Sequence, residues 1–314
     1  MNCAASAAVL EVVGVSKSYP GVRALDHVSF AARAGEVHGL VGENGAGKST
    51  LMRILSGAEQ PDEGHLLAFG KRLMLADPAS AHRAGIHMVW QDTRLVPDLD
   101  VAQNIALGHE AGGRLLVDRA AIDQRARAAL ARLGLTLDPR ALVRMLRPAE
   151  RQMVEIARAL DGKARVLILD EPTTALSAVE TDRLLAILRE LAAQGAAIVF
   201  VSHRLREVLS VTDRVTVMKD GEIVTTVPTV ALTEAEVVRL MVGRAIADIF
   251  PPHAAAAGAV RLELDGLAVP GRLGPISLSV RAGVILGIGG IAGNGQQALV
   301  HALFGLLPIK GKVR

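Results

Sequence analysis

LVGENGAGKSTLMRIL (Leu40–Leu55) carries Gly42, Gly47, Lys48 and Ser49 at the fixed positions of G-x-x-x-x-G-K-[ST]. GEVHGL (35–40) before it reads as a strand, and STLMRILSG (49–57) after it reads as a helix. Glycine lets the backbone turn its N–H groups inward, so Gly42, Glu43, Asn44, Gly45, Ala46 and Gly47 form a cradle for phosphate oxygens. The helix from Lys48 through Ser49 and Thr50 points its positive end at the same anion. Lys48 adds a charge at the β and γ phosphates, and the Ser49 hydroxyl is placed to ligate Mg²⁺. The stretch therefore predicts an α/β domain with ATP and Mg²⁺ as its ligands.

Outward from this loop, ARVLILDEPTTAL (Ala164–Leu176) is an apolar run ending in acid. Such a run suits a buried parallel strand whose C-terminal end meets a ligand. Asp170 is assigned to Mg²⁺, and Glu171 to orienting the attacking water beside the γ-phosphate. In the stretch 118–135, Ile122, Ala126, Leu130 and Leu133 recur at helical spacing, with Asp118 as N-cap.

Composition narrows the class. Of 314 residues, 50% are hydrophobic and 2% aromatic, and the net charge is +3 with no basic tract. That argues against nucleic acid as a partner. A single cysteine, Cys3, stands in a short leader (1–8) and makes no internal disulfide, which suits a reducing compartment. The leader has no basic n-region, so no signal peptide is expected, and no run of about 18 apolar residues predicts a membrane span.

With these motifs in place the chain resembles the ATP-binding subunits of ABC transporters, over essentially residues 9–314. In that family an aromatic residue before the second strand stacks on adenine, and SKSYPGVRAL (16–25) supplies Tyr19. A glutamine joins the catalytic core to a helical subdomain and approaches the metal, and HMVWQDTRL (87–95) supplies Gln91. A histidine contacts the γ-phosphate, and IVFVSHRLREV (198–208) supplies His203. The resemblance thus implies Lys48, Glu171 and His203 as catalytic and Ser49, Gln91 and Asp170 as metal-binding. It implies a parallel sheet core, an antiparallel β subdomain, and a helical subdomain over about 92–160, within a first domain spanning 9–244.

The stretch 77–108, RQMVEIARAL (151–160) and LMVGRAIADIFPP (240–252) are similar to the bacterial sugar-importer branch, whose ATPases carry two nucleotide-binding domains in one chain. That branch implies two partner membrane permease subunits, a second nucleotide-binding domain, and indirectly a periplasmic or lipid-anchored substrate-binding protein. It implies a peripheral site at the cytoplasmic face of the bacterial inner membrane. A pentose or hexose is the expected cargo. A nucleoside is the alternative, because GNGQ (293–296) looks like the nucleoside-import relatives. A truncated ATP-binding piece with little turnover is the other open reading.

An internal repeat supports two domains. A constant offset of 248 residues relates Gly35 to Gly283, Gly42 to Gly290, Gly47 to Gly295 and Gly57 to Gly305. In this register Gln296 replaces Lys48 and Gln297 replaces Ser49. The second copy is expected to begin at 260, after a Pro- and Ala-rich linker (245–259), and to run to 314 as the degenerate opening of another ABC domain. Arg261–Gly271 is expected to lack the strands it should pair with. The signature segment, which meets the ATP of the opposing domain in this family, falls on Leu146, Arg147, Pro148, Ala149 and Glu150. Arg147 stands where a serine is usual. The resemblance places it opposite the second loop, in a composite site expected to be non-hydrolytic.

Overall fold

The computed structural model describes residues 8–108, 117–161, 164–243, 258–290 and 293–314. Residues 1–7 of the leader, 109–116 of the helical stretch and 244–257 of the linker lie outside the described residues. The chain divides into two compact units, Met1–Ile246 and Ala247–Arg314.

In the first unit β1 (Ala8–Tyr19) and β2 (Val22–Arg33) form a hairpin, followed by β3 (Val37–Gly42) and α1 (Lys48–Leu55). Then come β4 (Glu63–Ala68), β5 (Lys71–Leu73), α2 (Pro78–Arg83) and β6 (Ile86–Val89). The helices α3 (Val101–Ala106), α4 (Arg119–Arg132) and α5 (Pro148–Asp161) precede β7 (Val166–Asp170) and α6 (Ala178–Ala193). The unit closes with β8 (Ala197–Val201), α7 (Leu205–Val211), β9 (Arg214–Lys219), β10 (Glu222–Pro228) and α8 (Glu234–Val242).

Two sheets result, in the orders β2-β1-β4-β5 and β10-β9-β3-β8-β7-β6. In the larger, β3 pairs in parallel with both β8 and β9, and β7 pairs in parallel with β6 and β8. Every residue of β3 and β8 is buried, which is why these segments read as unbroken apolar runs. Consequently the C-terminal ends of β3, β7 and β8 lie along one edge, where a parallel sheet presents its ligand site.

Local chemistry sets the helix starts. Asp77, Asp100, Ser177 and Thr233 each close a capping box with the third helical residue. Asp118 accepts the Ala121 N–H at the start of α4, as its sequence predicted. Ile122, Ala126, Leu130 and Leu133 are buried in the cluster that also holds Val154, Ala157 and Phe200. Each buried Leu or Ile of that face contributes about 1.5–3 kcal/mol.

The second unit contains β11 (Val260–Val269), β12 (Leu273–Arg281), α9 (Gln296–Leu303) and β13 (Lys310–Val313). Its sheet has the order β12-β11-β13. This corrects the expectation for Arg261–Gly271: β11 is the central strand, hydrogen-bonded on both sides, because the chain returns through β13 to cover its second edge. The uncovered apolar stretch is instead Val284–Ile288, in which Ile285 is 99% exposed. It occupies the register of β3, which in the first unit is sandwiched between β8 and β9.

Both hairpins share one irregularity. The Gly14 N–H donates to Ser29 Oγ at 3.0 Å, and the Gly266 N–H donates to Ser277 Oγ at 2.9 Å. These partners are 15 residues apart in the first unit and 11 in the second, so the second hairpin is four residues shorter. At the hairpin end Val269 precedes Pro270–Gly271 where Tyr19 precedes Pro20–Gly21, so an aliphatic residue stands in the aromatic's place.

Candidate functional site

At the sheet edge β3 ends in Gly42, and the loop that follows closes on α1. A side chain at Gly42 would place its Cβ 2.5 Å from the Met218 carbonyl, and one at Gly47 would sit 2.5 Å from the Ala24 carbonyl. Gly47, the N-cap of α1, has φ 97°, and Gly45 has φ 87°, the left-handed region glycine enters freely. The motif's glycines are thus set by close backbone approach. Gly42 and Ala46 are buried beneath the loop, and Glu43 is exposed on it. The Lys48 ammonium donates to the Gly42 and Glu43 carbonyls at 2.8 and 2.9 Å, folded over its own loop.

Asn44, Gly45, Gly47, Lys48, Ser49 and Thr50 line an open cleft of about 770 Å³. The same cleft is lined by Tyr19 from the end of β1 and Gln91 from the loop after β6. Asp170 and Glu171 enter from the end of β7, and His203 from beyond β8. Residues 155 positions apart in sequence are therefore brought together by the parallel order of three strands.

Charge in the cleft is held under tension. Burial lowers the pKa of Lys48, opposed by the nearby Glu171 and Asp170 carboxylates. Burial raises that of Asp170, reinforced by Glu171 and opposed by Lys48 and Arg53. Tyr19 is raised chiefly by burial, and its hydroxyl donates to Glu59.

Glu171 adopts φ 49°, a left-handed conformation unusual for a residue with a side chain. Its N–H donates to the Val201 carbonyl at 2.9 Å, which ties the turn to β8. His203 Nδ1 lies 2.9 Å from Glu171 Oε1, and since a carboxylate only accepts, Nδ1 is the donor. The Thr174 hydroxyl donates to the Glu171 carbonyl at 3.1 Å. Glu59 and Thr174 were not singled out by sequence. Thr174 lay within the quoted run, but only the turn's geometry shows that it braces Glu171.

The signature residues do not line this cleft. Leu146 is buried, and Pro148 opens α5, where its missing N–H would have no helical partner anyway. Arg147 pairs with Glu150: its N–H and guanidinium donate to the two carboxylate oxygens, both at 2.8 Å. Ala149 packs against the helical cluster.

In the second unit Gly290, Gly295, Gln296 and Gln297 line a separate cleft of about 890 Å³. Gly295, the N-cap of α9, has φ 95°, matching Gly47. The Gln296 side chain folds back toward Gly290, as Lys48 does toward Gly42. Residues 291 and 292 of this loop lie outside the described residues.

With this geometry established, comparison with known proteins is specific. Residues 25–174 match the family model described as ABC transporter. Residues 25–174 thus form an ABC transporter domain. It is 49% identical over 300 residues to the ribose import ATP-binding protein RbsA 1 of Rubrobacter xylanophilus, covering 96% of this chain and 60% of that one. It is 46% identical to the arabinose import ATP-binding protein AraG 2 of Burkholderia thailandensis, covering 95% of this chain and 57% of that one. The chain therefore spans about three fifths of the length of these ABC relatives. A solved ABC transporter ATP-binding cassette in its ADP conformation superposes with a TM-score of 0.66 at 25% identity, covering 76% of this chain and all of that one. The fold is that of an ABC ATPase cassette. Among the described residues no helix of the chain is long and apolar enough to cross a membrane.

Proposed function

We propose that this chain is the ATP-hydrolysing subunit of an importer and drives a sugar through partner permeases at the cytoplasmic face of the membrane. The observation that carries this reading is the convergence of Tyr19, Lys48, Ser49, Gln91, Asp170, Glu171 and His203 on one cleft. The names of the relatives, which concern ribose and arabinose import, support the substrate class.

The cleft fits its ligands. Side chains at Gly42 and Gly47 would fill the cradle, and two of the three Lys48 ammonium hydrogens meet the Gly42 and Glu43 carbonyls, leaving a donor for phosphate. One carboxylate, one hydroxyl and one amide oxygen, from Asp170, Ser49 and Gln91, are the sparse oxygen set that suits Mg²⁺ shared with a polyphosphate. When bound, Mg²⁺ neutralises charge on the transferring phosphate.

The protein's own part is positioning. Lys48 and the loop N–H groups hold the β and γ phosphates. Glu171 accepts a hydrogen bond from water and aims it in line with the γ-phosphorus. His203 holds Glu171 Oε1 and the Thr174 hydroxyl lies 3.4 Å from Oε2, so the carboxylate is braced at both oxygens. The first domain is assigned to 9–244, with the helical subdomain over about 92–160, a linker over 245–259 and a degenerate second copy from 260.

The test is phosphate release by the purified chain with Mg-ATP, with and without permease-containing vesicles, alongside uptake of labelled pentose in cells with and without the gene. ATP-dependent pentose uptake that needs Glu171 supports the reading. Uptake of nucleosides but not pentoses would favour the alternative suggested by GNGQ (293–296).

A further inference from the structure

Two stretches of chain carry the pair Glu171 and His203: the turn 171–174 after β7, and the segment 202–207 that opens α7. The pair itself is wet. The His203 side chain is 61% exposed and that of Glu171 22%, and an ion-pair contact in water does little to hold its own geometry. Glu171 also sits at φ 49°, a conformation that persists only where the surroundings over-determine it. The restraint lies beside the pair. Thr173, which is buried, donates its hydroxyl to Glu207 Oε2 at 2.6 Å. The Arg204 guanidinium donates through one nitrogen to Glu207 Oε1 at 3.1 Å and to the Thr173 carbonyl at 3.4 Å. The Ser202 hydroxyl in turn accepts the Arg204 N–H at 3.0 Å. Thr173 follows Glu171 by two residues and Arg204 follows His203 by one. These contacts therefore close a ring, with the Glu171–His203 hydrogen bond at one end and Glu207 at the other.

A glutamate in the first turn of a helix is stabilised by the helix's positive end and needs no other partner. Glu207 occupies that place in α7, yet each of its oxygens is taken, one by the turn and one by its own segment. We propose that Thr173, Arg204 and Glu207 are positioning residues for hydrolysis, a clamp that sets the separation of Glu171 and His203 and so the aim of the water-orienting carboxylate. None of the three lines the ATP cleft, so the clamp acts through Glu171 and His203 and not on the nucleotide. The consequence for turnover rests on the hydrolytic role given to Glu171 above; the hold on the pair does not. A carboxylate is required because it accepts from two donors at once. Glutamine offers one oxygen, and its amide NH₂ would face the other donor. Valine at 173 keeps the side chain's shape without the donor, whereas serine keeps the donor. The clamp matters because a misplacement of about 1 Å at a reacting centre costs on the order of 10²-fold in rate.

The test uses the 314-residue chain with isotope-labelled histidine, read by NMR of the ring nitrogens. The His203 signals are identified by their loss in His203→Gln. At about pH 8, above the usual imidazole range, the parent is expected to carry its ring proton on Nδ1, because the Glu171 carboxylate accepts there. In Thr173→Val and in Glu207→Gln that tautomer is expected to give way to a mixture, and Thr173→Ser is expected to rescue it. Phosphate release from Mg-ATP should fall about 10- to 100-fold in Thr173→Val and in Glu207→Gln, with ATP affinity within a factor of about two of the parent. The double variant should be no slower than the slower single, since either change opens the same ring. Denaturant midpoints are measured for every variant. An unchanged His203 tautomer in both single variants overturns the clamp, as does a loss of turnover in Thr173→Ser equal to that in Thr173→Val. Turnover unaffected by Glu171→Gln would instead sink the hydrolytic reading, and the His203 signals, which need no ATP, would still decide the clamp.

Discussion

The two phosphate loops share a backbone and differ in their side chains. Gly45 and Gly293 have φ 87° and 95°, Gly47 and Gly295 have 97° and 95°, and Gly57 and Gly305 have 72° and 76°. Both loops open helices of eight residues, α1 and α9. Both helix-capping glycines lie against the start of the second strand of the preceding hairpin: a Cβ on Gly47 would meet Ala24 and Leu25, and one on Gly295 would meet Arg272 and Leu273. Yet Lys48, Ser49 and Thr50 are matched by Gln296, Gln297 and Ala298, and Val269 stands before Pro270–Gly271 where Tyr19 stands before Pro20–Gly21. Packing retains the glycines whether or not phosphate is bound, whereas only phosphate and metal demand the lysine and the hydroxyl. A loop can therefore keep its shape without the lysine and the hydroxyl.

The largest expected effect that would break this contrast is at Glu171. Glu171→Gln should cut turnover by about 10²–10⁴-fold while ATP affinity, measured by titration, stays within a factor of about two of the parent, since the carboxylate aims water and carries no binding load. Unchanged phosphate release would refute its role. Lys48→Ala should weaken ATP binding by roughly 10- to 150-fold, the worth of a charge-assisted contact. Equal affinity in mutant and parent would place the phosphates elsewhere.

Stability tests the shared backbone. Gly47→Ala and Gly295→Ala should each cost about 1–3 kcal/mol in denaturant melts, through the left-handed φ and the close contacts at Cβ. A cost at only one of them would show that the loops are not equivalent. A smaller effect is expected from Arg147→Ser in a self-associated pair of chains, where each intact loop meets the partner's signature. Serine still caps α5 and frees Glu150, so turnover measured against protein concentration should rise by up to about tenfold. No rise would make Arg147 a tolerated signature residue. The smallest effect belongs to Gln296→Lys, which restores one group while Gln297, Ala298 and Val269 remain. Turnover should change by less than about twofold, and a doubling would show that the second loop lacked only its lysine.

Much of the site was legible because it is written in contiguous runs. Residues 40–55 specify a strand, a glycine turn and a helix in order, and 164–171 specify a strand ending in two carboxylates. Tyr19, Gln91 and His203 stood in no local pattern of their own; only resemblance pointed to them, and they reach the cleft from the end of β1, the loop after β6 and the segment after β8. Three features were not legible. The Arg147–Glu150 pair depends on both being at the start of one helix, where side chains three residues apart meet. The pairing of β11 on both sides depends on β13, whose sequence KGKV carries little strand signal. The buried, half-bonded carboxylate of Glu155 depends on a loop some sixty residues earlier folding over α5.

The left-handed turn at Glu171 has a consequence for selection. Holding a non-glycine residue at φ 49° costs on the order of 1 kcal/mol, and glycine would occupy that turn without it. Glu171→Gly is therefore a substitution that the fold would welcome and that the role proposed for Glu171 would not survive. A library sorted on heat tolerance alone would enrich such inactive variants. Only a screen that also demands turnover would keep the glutamate where the backbone least favours it.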